Sequence, residues 1–107
     1  MKVENRIKKN LEFNKVIENG ILNRTESLTL YFMKNDYNRL RIGISVPRKS
    51  GNAVVRNKIK RQIRAIIAQN ADYKLSFDLI IVVRKQYDVK SFVKTKDELI
   101  YLLGKVG

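Results

Sequence analysis

Apolar positions change their period along the chain, and those changes mark out the predicted elements. Over residues 11–19, Phe13, Val16 and Ile17 recur at spacings of three and four, as in a helix with one buried face. Asn10 is placed to cap it, Glu12 suits its first turn, and Gly20 suits its stop. Residues 27–33 (SLTLYFM) alternate and are rich in aromatic and aliphatic side chains. Residues 40–46 set Leu40, Ile42, Ile44 and Val46 against Arg41, Gly43 and Ser45, which predicts a half-buried strand. The turn cluster Asn35-Asp36-Tyr37-Asn38 lies between, so the two strands are most simply an antiparallel hairpin.

After a loop over residues 47–51, Asn52 is placed to cap a helix over 53–70. Val55, Ile59, Ile63, Ile66 and Ile67 fall on one side of it, Asn57, Arg61 and Arg64 on the other, with Arg56 and Lys60 at the border. Residues 77–83 (FDLIIVV) form a near-continuous apolar run, as expected of a strand covered on both faces. A last helix is predicted over 96–105, with Thr95 and Glu98 at capping-box spacing, Asp97 and Glu98 as first-turn acids, and Leu99, Ile100, Leu102 and Leu103 facing the core. This α-β-β-α-β-α order predicts an α+β sandwich, one domain over residues 1–107, with helices packed on a small mixed sheet. The late strand follows a helix, so it can run parallel to an earlier one, and such crossovers are normally right-handed.

Charge then narrows the class. The chain has 23 basic and 10 acidic residues, a net charge of +13, and no acid between Asp36 and Asp72. Residues 48–64 (RKSGNAVVRNKIKRQIR) carry seven of the cations. A basic stripe of this kind is the electrostatic footprint of a polyanion binder. The absence of cysteine and histidine excludes disulfides, thiolate or histidine metal sites, and histidine acid-base catalysis. The basic start lacks a following apolar stretch, so no signal peptide is expected, and the longest apolar run, 79–83, is too short to span a bilayer. A cytoplasmic location follows as the expectation.

Within the basic stretch, Arg56, Lys60 and Arg64 stand one helical turn apart, about 6 Å each, a scale suited to successive phosphates. Arginine grips a phosphate with two parallel hydrogen bonds, whereas lysine acts as a point charge. Gly51 permits unusual backbone angles and close approach, and the helix start at Asn52 offers free N–H groups. Lys49 and Arg56 flank that start, and Asn57 carries the donors and acceptors to read a base edge or ribose hydroxyl. Phe13, Tyr31 and Phe32 are candidate stacking platforms for unpaired bases, with core packing the default for each. Residues 31 and 32 face opposite sides of a strand, so only one shares a surface with Phe13, and Ile17 continues that patch one turn on. The carboxylates Asp72, Asp78, Asp88, Asp97 and Glu98 do not cluster, so no protein-borne catalytic site is expected.

The stretch GNAVVRNKIKRQIR with SVPRKS before it resembles the signature of the bacterial ribonuclease P protein family. RIKKNLEFNKVIENG, RIGISV and FDLIIVVRK extend the likeness over almost the whole chain. The resemblance implies a small basic subunit of a ribonucleoprotein endoribonuclease that removes the 5′ leader from precursor transfer RNA. Catalysis and Mg2+ are then expected chiefly on the RNA subunit, with no membrane or small-molecule substrate. It implies RNA-subunit binding through Lys49, Gly51, Asn52, Arg56, Asn57, Lys58, Lys60, Arg61 and Arg64, and leader binding through Phe13, Ile17, Tyr31 and Arg84. It also implies a left-handed βαβ crossover, against the general rule. Lys58 replaces the family's frequent second arginine, Pro47 stands where serine is common, and Ile17 stands where some members have an aromatic.

Two other classes fit the charge alone. A general RNA chaperone or ribosome-associated module binds many RNAs without affecting 5′ processing. A helix-in-groove DNA reader needs a second supporting helix beside the recognition helix, and here strands flank it. A membrane-surface role is weaker, because the basic helix has no aromatic on its apolar face.

Overall fold

The computed structural model describes residues 5–106; the first residues of the basic start lie outside that range. The elements in order are α1 (Asn10–Asn19), β1 (Ile21–Arg24), β2 (Leu28–Lys34), β3 (Arg41–Ser45), α2 (Ala53–Asn70), β4 (Phe77–Val83) and α3 (Phe92–Leu103). A single 3-10 turn, Arg48–Ser50, precedes α2. Three helices on a four-stranded mixed sheet make the α+β class expected from the pattern.

The sheet order is β1-β2-β4-β3, with β1/β2 and β2/β4 antiparallel and β3/β4 parallel. The expected β2–β3 hairpin is therefore absent, because β4 inserts between those strands. The reason lies in β4 itself: Leu79, Ile80, Ile81 and Val83 are all buried, so both of its faces need cover, which only a central position supplies. The Asn35-to-Asn38 cluster still turns the chain, but it carries it past the start of β4, where Asn35 N donates to Ser76 O and Leu40 N to Tyr73 O. β1 was not predicted; it is four residues long, with Ile21 and Leu22 exposed.

Two helix starts also differ from expectation. α1 is capped at Lys9 rather than Asn10, with no side-chain cap. α3 begins at Phe92 after Ser91, so Thr95 lies buried inside the helix and the Thr95–Glu98 capping box does not form. Glu98 instead accepts hydrogen bonds from Ser27 N at 2.9 Å and Ser27 Oγ at 3.1 Å. Asp97 is likewise an interior helical residue, and Ile100 is 40% exposed rather than in the core. By contrast α2 and β4 span the predicted residues, and Asn52 Oδ1 accepts from Val55 N at 3.0 Å as a helix cap.

The two sheet faces are packed differently. On one, Leu28, Leu30, Phe32, Leu79, Ile81 and Val83 meet Ile59, Ile63, Ile66 and Ile67 of α2 and Leu99 and Leu102 of α3. On the other lies α1, where only Ile7, Val16 and Ile80 are fully buried and Phe13, Ile17, Tyr31, Met33 and Val82 are half-covered around them. Strand register places Tyr31, Ile80 and Gly43 in one row on this α1 face, with Met33, Asp78 and Arg41 in the next.

Candidate nucleic-acid interface

α2 displays its cations in two tiers. Ile59, Ile63, Ile66 and Ile67 anchor the helix, leaving Asn57, Lys58 and Arg61 exposed. Arg56, Lys60 and Arg64, each one turn apart, are half-buried along one flank. Arg64 thus stands at the border with Arg56 and Lys60, not on the outermost face with Arg61. Arg48 and Lys49 are exposed on the 3-10 turn just before the helix.

Gly51 sets the joint between turn and helix. Its φ of +147° lies where side chains are disfavoured, and a Cβ there would stand 2.8 Å from Val55 Cγ1. Among the described residues, the ion pairs are Arg41 with Glu12 and Asp78, and Lys94 with Glu26. None uses a cation of the 48–64 stretch. The Nε atoms of Arg56 and Arg64 are buried without a hydrogen-bond partner, as is that of Arg6. Buried donors are normally satisfied, so these three guanidinium nitrogens are exceptions within the fold.

The aromatic patch lies on the α1 face. Phe13, Ile17 and Tyr31 come together there, while Phe32 points into the opposite core and meets Phe77 edge-on at 6.1 Å. Gly43 makes the seat for Phe13: a Cβ at that position would lie 2.4 Å from Phe13 Cε2 and 2.8 Å from Ile80 Cδ1. Arg84 joins neither group. It sits after β4, where its Nη1 donates to Thr25 O at 2.5 Å and so braces the β1–β2 turn.

Two features were missed in the sequence. The first is the segment before α1. Asn5 and Ile7 are buried, Asn5 Nδ2 donates to Leu40 O and Ile7 N to Ile42 O at 3.0 Å. That alternation leaves Arg6 and Lys8 on the other side, lining a 200 Å³ cavity with Phe13, Gly43, Lys60 and Arg64. The basic flank of α2 and the seat of Phe13 are therefore continuous. An apolar Ile7 between two cations is the period-two signal that could have revealed it.

The second is a clasp at Arg41. Its Nε donates to Asp78 Oδ1 at 2.9 Å and its Nη2 to Asp78 Oδ2 at 3.0 Å; Nη2 also meets Glu12 of α1. The Tyr37 ring centroid lies 4.0 Å from Arg41 Cζ. The hydrogen bond to Asp78, opposed by burial and reinforced by Glu12, holds the guanidinium pKa above its ordinary value. Both nearby carboxylates are thus engaged, and the described residues hold no group of three or more acid, cysteine or histidine ligands for a metal ion. The described chain does not fit a resident magnesium site.

Comparison with known proteins closes the identification. The family profile described as Ribonuclease P matches residues 1–107. The ribonuclease P protein component of Mesoplasma florum is 42% identical over 101 residues, covering 92% of each chain. That of Bacillus velezensis is 40% identical over 108 residues, covering all of this chain and 93% of its own. Among solved structures, the RNase P protein of Staphylococcus aureus matches with a TM-score of 0.84 at 31% identity, covering 95% of this chain and 96% of its own. The Thermotoga maritima protein matches with a TM-score of 0.82 at 28% identity, covering 95% and 97%. With a fold, a cationic helix and near-complete sequence coverage in agreement, the chain belongs to the ribonuclease P protein family and serves as the protein subunit of that enzyme.

Proposed function

We propose that the protein works by charge and position, docking the RNA subunit with α2 and holding the single-stranded leader of precursor transfer RNA on the α1 face. The exposed tier, Lys49, Asn57, Lys58 and Arg61, with the helix start at Gly51 and Asn52, takes the RNA subunit. Phe13, Ile17 and Tyr31 receive the leader. Arg56, Lys60 and Arg64 join the two surfaces, since Lys60 and Arg64 share a cavity with Phe13. The observation that carries this reading is that no carboxylate among the described residues pairs with these cations. As part of this proposal, bond-breaking groups and magnesium are assigned to the RNA subunit. Cytoplasmic residence fits an RNA partner, and no described helix is long and apolar enough to cross a membrane.

A 5′ processing assay with the catalytic RNA at low magnesium, with and without the protein, tests this directly. Protein should raise cleavage of leader-bearing precursor, and protein alone should cleave nothing specifically. Metal-dependent cleavage by RNA-free protein at the correct site would refute the assignment of chemistry. Arg61→Ala combined with Arg64→Ala should weaken RNA-subunit binding and flatten the log affinity–log salt slope by about 1–2 through lost counterion release. Phe13→Ala should instead lower the preference for precursor over mature transfer RNA by about tenfold, the scale of one lost base stack. An RNA chaperone would show neither selectivity.

A further inference from the structure

Helix α1 carries Phe13 and Ile17, yet its own packing holds it lightly. It lacks a side-chain cap, Leu11 is exposed, and Val16 is its fully buried residue. Its C-terminal end lies close against the sheet: Gly20 N donates to Val16 O at 2.7 Å, and a Cβ on Gly20 would stand 3.0 Å from Phe32 O. Its N-terminal end is tied to the sheet by an ion pair, Glu12 with Arg41 of β3. Arg41 is a rigid anchor for that tie. Its Nε donates to Asp78 at 2.9 Å and its Nη2 at 3.0 Å, and Asp78 Oδ1 also accepts from Asn35 Nδ2 at 2.8 Å. The Tyr37 ring covers the guanidinium. Glu12 is half-buried and is not needed to neutralise Arg41, since Asp78 already supplies a bidentate carboxylate. What Glu12 contributes is direction. It lies one turn before Val16 on the same side of α1, while Phe13 and Ile17 each stand one position further, about 100° round the helix. Fixing Glu12 and Val16 therefore fixes the rotation of α1, and with it the angle at which the ring of Phe13 meets Gly43.

We infer that Glu12 is a positioning residue for precursor recognition: through Arg41 it sets the rotation of α1 and so holds Phe13 and Ile17 in the orientation that receives an unpaired base. This rests on the proposal that the α1 face holds the leader. Glu12 acts through Arg41 and not by touching RNA, since a carboxylate beside a phosphate chain is repelled by it. The two effects of this side chain therefore have opposite signs. If Glu12 acted on the leader through charge alone, its removal would tighten precursor binding. Acting through position, its removal weakens precursor binding, because the ring loses its orientation while Val16 keeps α1 on the sheet. A role confined to stability would instead lower the folded fraction, and precursor and mature transfer RNA would suffer alike.

The test uses the assembled holoenzyme, with equilibrium binding of precursor transfer RNA and of mature transfer RNA lacking the leader. Glu12→Ala should lower the preference for precursor by about three- to fivefold, part of the value of one base stack, and leave binding of mature transfer RNA unchanged. Glu12→Gln removes the same charge but keeps an oxygen that accepts from Arg41 Nη2, so it should retain the preference. Glu12→Asp keeps the charge on a shorter arm and should lose it. In a Phe13→Ala background Glu12→Ala should have no further effect, because the two residues act as one unit. Unchanged or tighter precursor binding by Glu12→Ala, equal losses for Glu12→Ala and Glu12→Gln, equal losses on mature transfer RNA, or full additivity with Phe13→Ala would overturn the inference. Should Glu12→Ala not fold, the other two variants decide: retention in Glu12→Gln with loss in Glu12→Asp supports the positioning role, and any other result overturns it. Phe13→Ala alone separates its failure from that of the underlying reading. If Phe13→Ala lowers precursor preference and Glu12→Ala does not, only the positioning role is wrong; if neither does, the leader does not lie on this face.

Discussion

Arginine is wholly or partly buried in two regions of this molecule under opposite conditions. At Arg41 the guanidinium meets two carboxylates and an aromatic face, and the group is 8% exposed. Arg6, Arg56 and Arg64 are half-buried, and their covered Nε atoms meet no acceptor. Asp78 and Glu12 belong to elements outside the acid-free zone, and the fold delivers both to Arg41. Among the described residues, it pairs none with a cation of α2. The lesson is that arginine content says little until the carboxylates are located. A paired, buried arginine ties elements together, and a half-buried one without an internal carboxylate keeps its charge for other use.

The sharpest way to break this contrast is to delete both kinds. Arg41→Ala leaves the Asp78 carboxylate, 8% exposed, without its cation. It should cost about 3–5 kcal/mol of unfolding free energy in urea titrations, the usual penalty for half of a buried pair. Arg56→Ala removes no internal partner, so its unfolding free energy should move by less than about 0.5 kcal/mol while RNA-subunit affinity falls. Comparable destabilisation by the two changes would show that Arg56 too has a structural acceptor.

A smaller effect is expected where the two regions meet. Gly43 lies two residues from Arg41 in β3 and under the ring of Phe13. Gly43→Ala forces that ring aside, and overpacking of this kind costs about 1–3 kcal/mol. Because α1 remains clasped through Glu12 and Arg41, the ring rather than the helix should yield. Precursor preference should then drop while RNA-subunit affinity holds. Unchanged preference in a folded variant would mean that the position of Phe13 does not matter to leader binding.

The contrast also explains which features were legible in the sequence. α2 was readable to the residue because everything that defines it is local: Asn52 as cap, Gly51 before it, and isoleucines at helical spacing. β4 was readable because an apolar run of that length has few other uses. The sheet order was not, since whether β2 pairs with β3 or β4 depends on which strand most needs the centre, a competition among distant segments. Arg41 read as part of the polar face of β3, because nothing near it in sequence announces Asp78, 37 residues on. Of the candidate site, the cations of α2 and the Phe13–Tyr31 patch were visible as residue types. That Arg6 completes a cavity with Arg64 required the parallel bridge from Arg6 to Ile42, which no local pattern encodes.

The smallest effect separates fold from interface by pH. Glu98 is a charged group satisfied by hydrogen bonds rather than by a buried cation. Burial raises its pKa, but the hydroxyl of Thr25 and the N–H and hydroxyl of Ser27, with Lys94 nearby, outweigh that and leave it below the ordinary glutamate value. A depressed carboxylate pKa means the unfolded chain binds the proton more readily than the folded one. The stability Glu98 contributes is therefore present above about pH 4.5, the ordinary value, and fades as pH falls through its lowered folded value. Glu98→Gln should cost about 1 kcal/mol near neutral pH, the scale of a net hydrogen bond. Its urea midpoint should also fall less steeply on acidification than that of the parent, so the two curves converge as the pH falls through the lowered value. Lysine and arginine remain charged throughout that window. Acid should thus weaken the clamp between α3 and the β1–β2 turn without discharging any cation that meets RNA, and parallel curves for parent and variant would show that Glu98 is not the group titrating.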